Sequence, residues 1–366
     1  MIARYALTLL ALVAAPAAAQ RPHPAQAALE AARVELGLPG MAAAVWKDGQ
    51  LILDIAAGER ALGSGVPVAV GDPFHIGSIT KPFTATLAAR LAEQGRIGFG
   101  QRIADLLPDL SGLRPEYAEV TLADLLAHRG GISASPSPEE GARLVRLRGL
   151  TERRLAVAEI MLAMPPSGTP RRTFLYSNFS YVIAAAMMER ATGRPYEELV
   201  AEEVLAPLGL ASAGFGAPGS PAAIDAPRGH FPEGTNLAGP IDPASPIADN
   251  PAFAQPSGGL HMSMRDLAAF GADHLRGALG QPGTLLRPES YAFLHAPVPG
   301  AEATGWALGP GAERHHDGSN RRWYALLRFI PEERLVIAVA GNSAGDERRT
   351  GPGLFALSDR LRRLVR

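Results

Sequence analysis

Ser78 and Lys81 are the residues whose types and spacing best suit catalysis, and they lie in the segment 75–82. Of the 35 basic residues, two are lysines, Lys47 and Lys81. Arginine stays protonated at any accessible pH, whereas a buried lysine can lose its proton and act as a base. A three-residue spacing places Ser78 and Lys81 on one face of a helix, near an N-terminus that favours negative charge on the serine oxygen. The pattern predicts a lysine-activated serine nucleophile; the alternative is an ordinary helix-capping serine.

Two further polar segments could contribute to the same chemistry. Tyr176 and Asn178 flank Ser177, and a phenol near a lysine can share proton transfer while an amide orients a substrate. The segment 315–319 contains adjacent histidines that are not spaced as a zinc pair. No second histidine cluster supports a metal, so no cofactor is expected.

Taken in order, the three segments resemble a known family. Ser78-x-x-Lys81, Tyr176-x-Asn178 and His316-x-Gly318 are similar to the motifs of the serine β-lactamase-related family, which includes class C β-lactamases, DD-peptidases and family VIII esterases. Segments 125–131, 256–267 and 331–342 also resemble it. The resemblance spans about residues 30 to 345.

The resemblance implies a mechanism and a set of site residues. Ser78 would attack a carbonyl and form an acyl-enzyme, and Lys81 and Tyr176 would share the base and acid roles in an order left open. Backbone N–H groups of Ser78 and Ser319 would form the oxyanion hole, and His316 would hold Tyr176 or a substrate group. The residues expected to bind substrate are Asn178, His316, Gly318 and Ser319.

The third motif departs from the family pattern. Class C β-lactamases usually have Lys-Thr-Gly where this chain has His316, Asp317 and Gly318. If Asp317 faces the site, it should repel a substrate carboxylate, although the alternation of strand side chains leaves open that it faces away. Esterase or amidase activity, including a D-aminopeptidase type, is therefore favoured. The alternative is a β-lactamase or D-alanyl-D-alanine carboxypeptidase.

The apolar patterns predict an α+β fold in which both chain ends build one antiparallel sheet, flanked by helices, with an inserted helical lobe. The sheet lobe is expected at about 20–75 and 260–366, and the helical lobe at about 76–259. Predicted helices are 26–36, 79–94, 122–128, 152–164, 179–192, 196–205, 264–275 and 354–364. Predicted strands are 41–46, 51–56, 305–308, 324–330 and 335–340, with the segment 315–319 entering a strand around Trp323. Residues 206–256 read as a long ordered loop beside a site.

The amino-acid composition restricts the kinds of molecule that the protein is expected to bind. The 366 residues are 47% hydrophobic and carry a formal charge of −1, which gives no electrostatic footprint for nucleic acid. Absence of cysteine excludes disulfides, thiolate zinc sites and cysteine nucleophiles. The expected partner is a small ester, amide or peptide substrate, and the oligomeric state is open.

The first 19 residues have the pattern of a signal peptide. Arg4 is followed by an apolar run over residues 5–15 and by small residues at 17–19. The mature chain is expected to begin near Gln20 and to be periplasmic or secreted, without stable membrane insertion after cleavage. The alternative is a retained N-terminal anchor.

Three other readings remain. Residues 341–345 match the Gly-x-Ser-x-Gly pattern of α/β-hydrolases. In that fold the catalytic histidine follows the serine in sequence, but the last histidine of this chain is His316, which precedes Ser343. Residues 214–219 fit a dinucleotide-binding pattern without a preceding strand, and we read them as a loop. A protein of the same fold that binds cell-wall peptides without turnover is the alternative outside the enzymes.

Overall fold

The computed structural model describes residues 23–146, 149–231 and 239–366. The predicted signal peptide lies outside these residues. Within them, no helix is both long enough and apolar enough to cross a membrane.

One six-stranded antiparallel sheet unites the two ends of the chain, in the order β2-β1-β11-β10-β9-β8. This confirms the predicted fold class. Its strands are β1 (Gly40–Lys47), β2 (Gln50–Gly58), β8 (Ala307–Leu308), β9 (Arg314–Ser319), β10 (Tyr324–Ile330) and β11 (Leu335–Gly341). The shorter strands are β3 (Phe74–His75), β4 (Gly214–Phe215), β5 (His230–Phe231), β6 (Gly239–Pro240) and β7 (Leu260–Met262).

The predicted helices are present, most with small shifts at their ends, while the last one begins seven residues before the predicted start. The α-helices are α1 (Pro24–Leu36), α2 (Thr80–Glu93), α3 (Ile103–Leu106), α4 (Leu122–Leu126), α5 (Pro138–Arg146), α6 (Leu150–Ala163), α7 (Asn178–Thr192), α8 (Tyr196–Val200), α9 (Gln255–Gly258), α10 (Met264–Ala278), α11 (Pro288–His295) and α12 (Glu347–Leu364). The helix predicted over 196–205 divides into α8 and a π-helical turn, Ala201–Leu205.

Apolar residues on both faces fix the sheet between two helical layers. In β1, Met41, Ala43 and Val45 pack with α1 and α12, while Ala42 and Ala44 belong to the larger core on the opposite face. This division follows from the two-residue period of a strand. The central strand β11 is buried throughout, as its unbroken apolar run predicts.

Two predictions of local structure, for the segment 315–319 and for Ser78, differ from the structure. The segment 315–319 lies within a strand of its own, β9, whereas the sequence analysis placed the strand around Trp323, which precedes β10. Its polar residues show no apolar alternation, and pairing with β10 holds them extended. Ser78 was expected to begin a helix, but it lies in a 3₁₀ turn, Gly77–Ile79, immediately before α2.

Candidate active site

Two glycines bring the turn that carries Ser78 against β9. Gly77 has a φ of +53°, and a Cβ atom there would lie 2.5 Å from the backbone nitrogen of Ser319. A Cβ atom on Gly318 would lie 2.2 Å from the oxygen of Ile76 and 2.5 Å from the nitrogen of Ser78. These separations are far below van der Waals contact, so only glycine permits the approach. The backbone nitrogens of Ser78 and Ser319 consequently lie on neighbouring segments beside the serine side chain.

Lys81 lies in the first turn of α2 with its ammonium group fully buried. Its Nζ is 3.1 Å from Ser78 Oγ, 2.8 Å from Asn178 Oδ1 and 2.7 Å from the carbonyl oxygen of Ser257. Among the described residues no carboxylate pairs with it, and burial lowers the pKa of Lys81 well below the usual value.

The three groups around Lys81 Nζ determine how a neutral amine is oriented at this position. A neutral amine has two N–H donors and one lone pair. Asn178 Oδ1 and the Ser257 carbonyl are acceptors, so they take the two N–H groups of Lys81. In the neutral amine the lone pair is then left for the hydroxyl of Ser78, 3.1 Å away, which can donate to it. The geometry therefore suits a lysine that accepts the serine proton.

Tyr176 lies within hydrogen-bonding reach of the Ser78 hydroxyl. Its ring centre is 4.7 Å from Lys81 Nζ, and its ring packs 4.3 Å from that of His128. Two-fifths of the Tyr176 surface is exposed, but the His128 ring against which it packs is buried. Burial raises the pKa of Tyr176, and the charges of Asp317 and Glu302 raise it further, although the hydrogen bond to Ser78 opposes this. The phenol is therefore protonated at neutral pH.

His316 is buried beside this group and is uncharged at neutral pH. Burial, followed by the nearby Lys81, lowers the pKa of His316 to about 4. Its Nδ1 lies 2.6 Å from the carbonyl oxygen of Asp317. A hydrogen bond from His316 to Tyr176, which the sequence analysis anticipated, is absent among the described residues.

The side chains of Asp317 and Ser319 point away from the cleft, which settles the open question about the third motif. Asp317 pairs with Leu326 across the sheet and accepts a hydrogen bond from the hydroxyl of Tyr324. The hydroxyl of Ser319 donates to Glu347, at the start of α12. Only the backbone of Ser319 therefore faces Ser78, and Asp317 does not confront a substrate.

We expect Asp317→Asn to change kcat/KM by less than about threefold for a neutral ester and for an otherwise identical ester bearing a carboxylate, because the side chain lies behind the strand. Steady-state kinetics on the matched substrate pair measures this. A tenfold gain confined to the anionic ester would contradict the orientation.

A small cavity of about 220 Å³ opens beside Ser78. Its apolar walls come from Phe179, Val182, Pro251, Phe253 and Ala254, and no charged side chain of the described residues lines it. The end of the predicted 206–256 loop thus borders the site as expected. A larger groove of about 670 Å³ near Leu155 and Arg190 contains none of the predicted site residues, so it is a poor candidate for the chemistry.

The competing motif around Ser343 is structural. Ser343 is buried, and its hydroxyl donates to the carbonyl oxygen of His230. The preceding Asn342 accepts from the backbone N–H of Gly40 and ties β11 to β1. Within the described ranges, no cluster of three or more histidine or acidic residues could hold a metal ion.

Several residues at the site were missed by the sequence analysis or given no role. The Ser257 carbonyl holds Lys81, and His128 accepts the backbone N–H of Ser177 at 3.1 Å and supports the Tyr176 ring. Backbone acceptors leave no sequence signal, but the positive φ of His128 beside Gly130 and Gly131 marks a constrained turn. His75 is the first residue of the segment 75–82, and the sequence analysis gave it no role.

The fold and the site together define a serine hydrolase, and comparisons with known proteins give its family. The family described as Beta-lactamase matches residues 25–358, so the chain belongs to the β-lactamase family.

Individual relatives differ in their named activities. The chain is 29% identical to penicillin-binding protein 4 of Amycolatopsis lactamdurans, over 87% of this chain and 84% of that protein. It is 25% identical to a D-aminopeptidase of Cereibacter sphaeroides, over 87% of this chain and 59% of that protein. A β-lactamase/D-alanine carboxypeptidase structure from Pseudomonas syringae has a TM-score of 0.73 at 20% identity, covering 92% of this chain and 97% of that one, and shares the fold.

Proposed function

We propose that the protein hydrolyses esters or amides of small, uncharged acyl groups through an acyl-enzyme on Ser78. The observation that carries this is the fully buried Lys81 Nζ, which lies 3.1 Å from Ser78 Oγ beside two other acceptors and has no carboxylate partner among the described residues. A serine hydroxyl needs such a base to become a nucleophile.

The reaction follows from the positions of these groups. Ser78 Oγ attacks the acyl carbon as its proton passes to Lys81, and the carbonyl electrons move to the oxygen, where the N–H groups of Ser78 and Ser319 stabilise them. The tetrahedral intermediate then expels the leaving group, which takes a proton from Lys81 through the hydroxyl of Tyr176. Water attacks the acyl-enzyme in the same way, releasing the acid and restoring Ser78.

The electrostatics of the site favour neutral or cationic substrates over anionic ones. His316 stands where class C β-lactamases have a lysine, and its lowered pKa leaves it uncharged. The charge of Asp317 acts on Tyr176 only from behind β9, where its side chain accepts the Tyr324 hydroxyl. A carboxylate-bearing substrate would therefore find no cation in the third motif. The esterase and amidase reading thus rests on His316 rather than on the orientation of Asp317.

The cavity limits the size of the acyl group. At about 220 Å³ it is smaller than the roughly 300–1,000 Å³ of typical drug-sized ligand sites. Its walls of phenylalanine, valine, proline and alanine would bind a short hydrocarbon chain by burying apolar surface. Long-chain acyl groups would have to leave part of the chain in solvent.

A substrate panel on the purified protein tests the proposal. We expect p-nitrophenyl acetate and butyrate to be cleaved with higher kcat/KM than p-nitrophenyl dodecanoate, D-alanyl-D-alanine peptides or a chromogenic cephalosporin. Amides of D-amino acids with a free amine should be cleaved with an intermediate kcat/KM, since the uncharged His316 does not repel their ammonium group. Faster turnover of the cephalosporin than of every ester would overturn the proposal in favour of β-lactamase activity.

Export is a separate part of the proposal and depends on the sequence of residues 1–19 alone. N-terminal sequencing of the protein recovered from the periplasm or medium tests it. A mature N-terminus near Gln20 is expected, and an intact Met1 would contradict cleavage.

A further inference from the structure

His75 and Asp249 form a buried pair directly behind the Ser78 turn. The imidazole is fully buried and stacks on the ring of Trp323 at 5.6 Å. Its Nδ1 accepts the backbone N–H of Gly77 at 3.1 Å, and its Nε2 is 2.8 Å from Asp249 Oδ1. Because Nδ1 accepts a hydrogen bond, a ring proton is on Nε2, within contact distance of the carboxylate oxygen.

Asp249 connects this histidine to the β9–β10 turn. Its Oδ1 also accepts from Asn320 Nδ2 at 3.1 Å and from the backbone N–H of Asn250 at 2.7 Å. Burial alone would raise the pKa of Asp249, but His75 and these hydrogen bonds hold it below the usual value, so the carboxylate is ionised. Asn320 directly follows Ser319, and its Oδ1 accepts the backbone N–H of Trp323 at 3.2 Å.

Asn250 also links the Asp249 carboxylate to the segment whose carbonyl group holds Lys81. The side chain of Asn250 lines the cavity, and its Nδ2 donates to the carbonyl oxygen of Gly258 at 3.1 Å. Gly258 follows Ser257, whose carbonyl holds Lys81. One carboxylate oxygen is therefore linked to the serine turn, to the strand end that carries Ser319 and to the segment that holds the lysine.

We propose that His75 and Asp249 are positioning residues that fix the backbone N–H groups of Ser78 and Ser319 at the separation needed to stabilise an oxyanion. The proposal rests on the acyl-enzyme function above. The two N–H groups lie on segments distant in sequence, and Gly77 and Gly318 allow their contact without enforcing it. The hydrogen bonds from Gly77 to His75 and from Asn320 to Asp249 supply that constraint on each side.

The position of the pair favours this role over a purely structural one. A buried ionised carboxylate is expensive to desolvate, and apolar residues of similar volume often stabilise a core equally well. The hydrogen bond accepted by His75 ends one residue from Ser78, and a hydrogen bond accepted by Asp249 ends one residue from Ser319. A displacement of about 1 Å at such groups can lower a rate by about 100-fold.

Two substitutions of His75 separate its two contacts, the hydrogen bond from Gly77 and the ion pair with Asp249. In His75→Gln the amide reaches the position of Nε2 and Asp249, leaving the Gly77 N–H without its acceptor. In His75→Asn the amide oxygen takes the position of Nδ1 and accepts from Gly77, but the contact with Asp249 is lost. Asp249→Asn keeps the shape and removes the charge. We expect all three to lower kcat on p-nitrophenyl butyrate about 10- to 100-fold with KM changed less than about threefold.

A boronic acid that forms a tetrahedral adduct with serine supplies a second measurement. Its affinity should fall in parallel with kcat, since the adduct uses the same N–H groups. The matched control is His230→Gln: His230 is also buried, accepts the backbone N–H of Leu62 at 3.1 Å and lies outside the site. This control should lower thermal stability while leaving kcat and boronate affinity within about twofold.

The outcomes distinguish this proposal from the proposed function. Absence of turnover and of serine labelling in the unmodified protein defeats the function itself. With turnover established, folded His75 and Asp249 variants that retain kcat and boronate affinity overturn the positioning role. If all of these variants unfold, the pair is a folding element and the proposal is equally wrong.

Discussion

Replacing Ser78 by alanine is expected to lower kcat/KM on p-nitrophenyl butyrate by about 10⁴-fold or more, because no acyl-enzyme can form. Covalent labelling by a fluorophosphonate should disappear completely in the same variant. The fold should persist, since the partners of this hydroxyl within the described ranges are Lys81 and Tyr176, and an alanine side chain fits wherever a serine does. Steady-state kinetics and intact-protein mass spectrometry after labelling measure the two effects.

Ser343→Ala is the matched control, since Ser343 belongs to the competing Gly-x-Ser-x-Gly segment. It should retain both labelling and turnover because that hydroxyl is buried against His230. Loss of labelling in Ser343→Ala with labelling intact in Ser78→Ala would contradict the assignment. Absence of labelling and turnover in the unmodified protein would favour a binding protein that does not hydrolyse its ligand.

The sequence predicts the local part of this site well. Ser78 and Lys81 are three residues apart, so their proximity follows from a single turn of backbone. The unbroken apolar run of β11 and the alternation in its neighbours likewise predict a sheet without knowledge of distant contacts. Local spacing and strong apolar patterns therefore carry both the nucleophile–base pair and the architecture.

The remainder of the site depends on long-range register. The contact between Lys81 and Asn178 joins residues 97 positions apart, and their order in the motifs does not give a distance. The orientation of Asp317 follows from its pairing with Leu326, which the polar sequence of β9 does not specify. The His75–Asp249 pair is likewise made by a loop without apolar periodicity, so no local pattern reveals it.

Lys81→Arg is expected to lower kcat/KM by about 10³-fold or more, which is the strongest test of the lysine as a base. A guanidinium stays protonated at accessible pH and offers no lone pair to the Ser78 hydroxyl. The larger group would also have to fit a fully buried position. Lys81→Met, which has similar length and no charge, keeps the test valid if the arginine variant does not fold, and it should be equally inactive.

The pH dependence gives an independent measure of the same group. Burial lowers the pKa of Lys81, so the neutral, competent amine is present above that lowered pKa, and activity is lost as the pH falls through it. The raised pKa of Tyr176 keeps the phenol protonated, so no loss is expected on the alkaline side at moderately basic pH. The acidic limb of the kcat/KM profile reports the titration of Lys81 together with the groups that interact with it. One of these groups is His316, whose pKa is lowered to about 4.

Lys47→Arg is the natural control, because Lys47 is the other lysine of the chain and its Nζ contacts the carbonyl oxygen of Val365, far along the sequence from the site. It should leave both kcat/KM and the acidic limb unchanged. A folded Lys81→Arg protein that retains turnover would show that the Ser78 proton goes elsewhere. Tyr176 would then be the remaining acceptor beside the serine, and its phenol would have to ionise against burial and two nearby acidic groups.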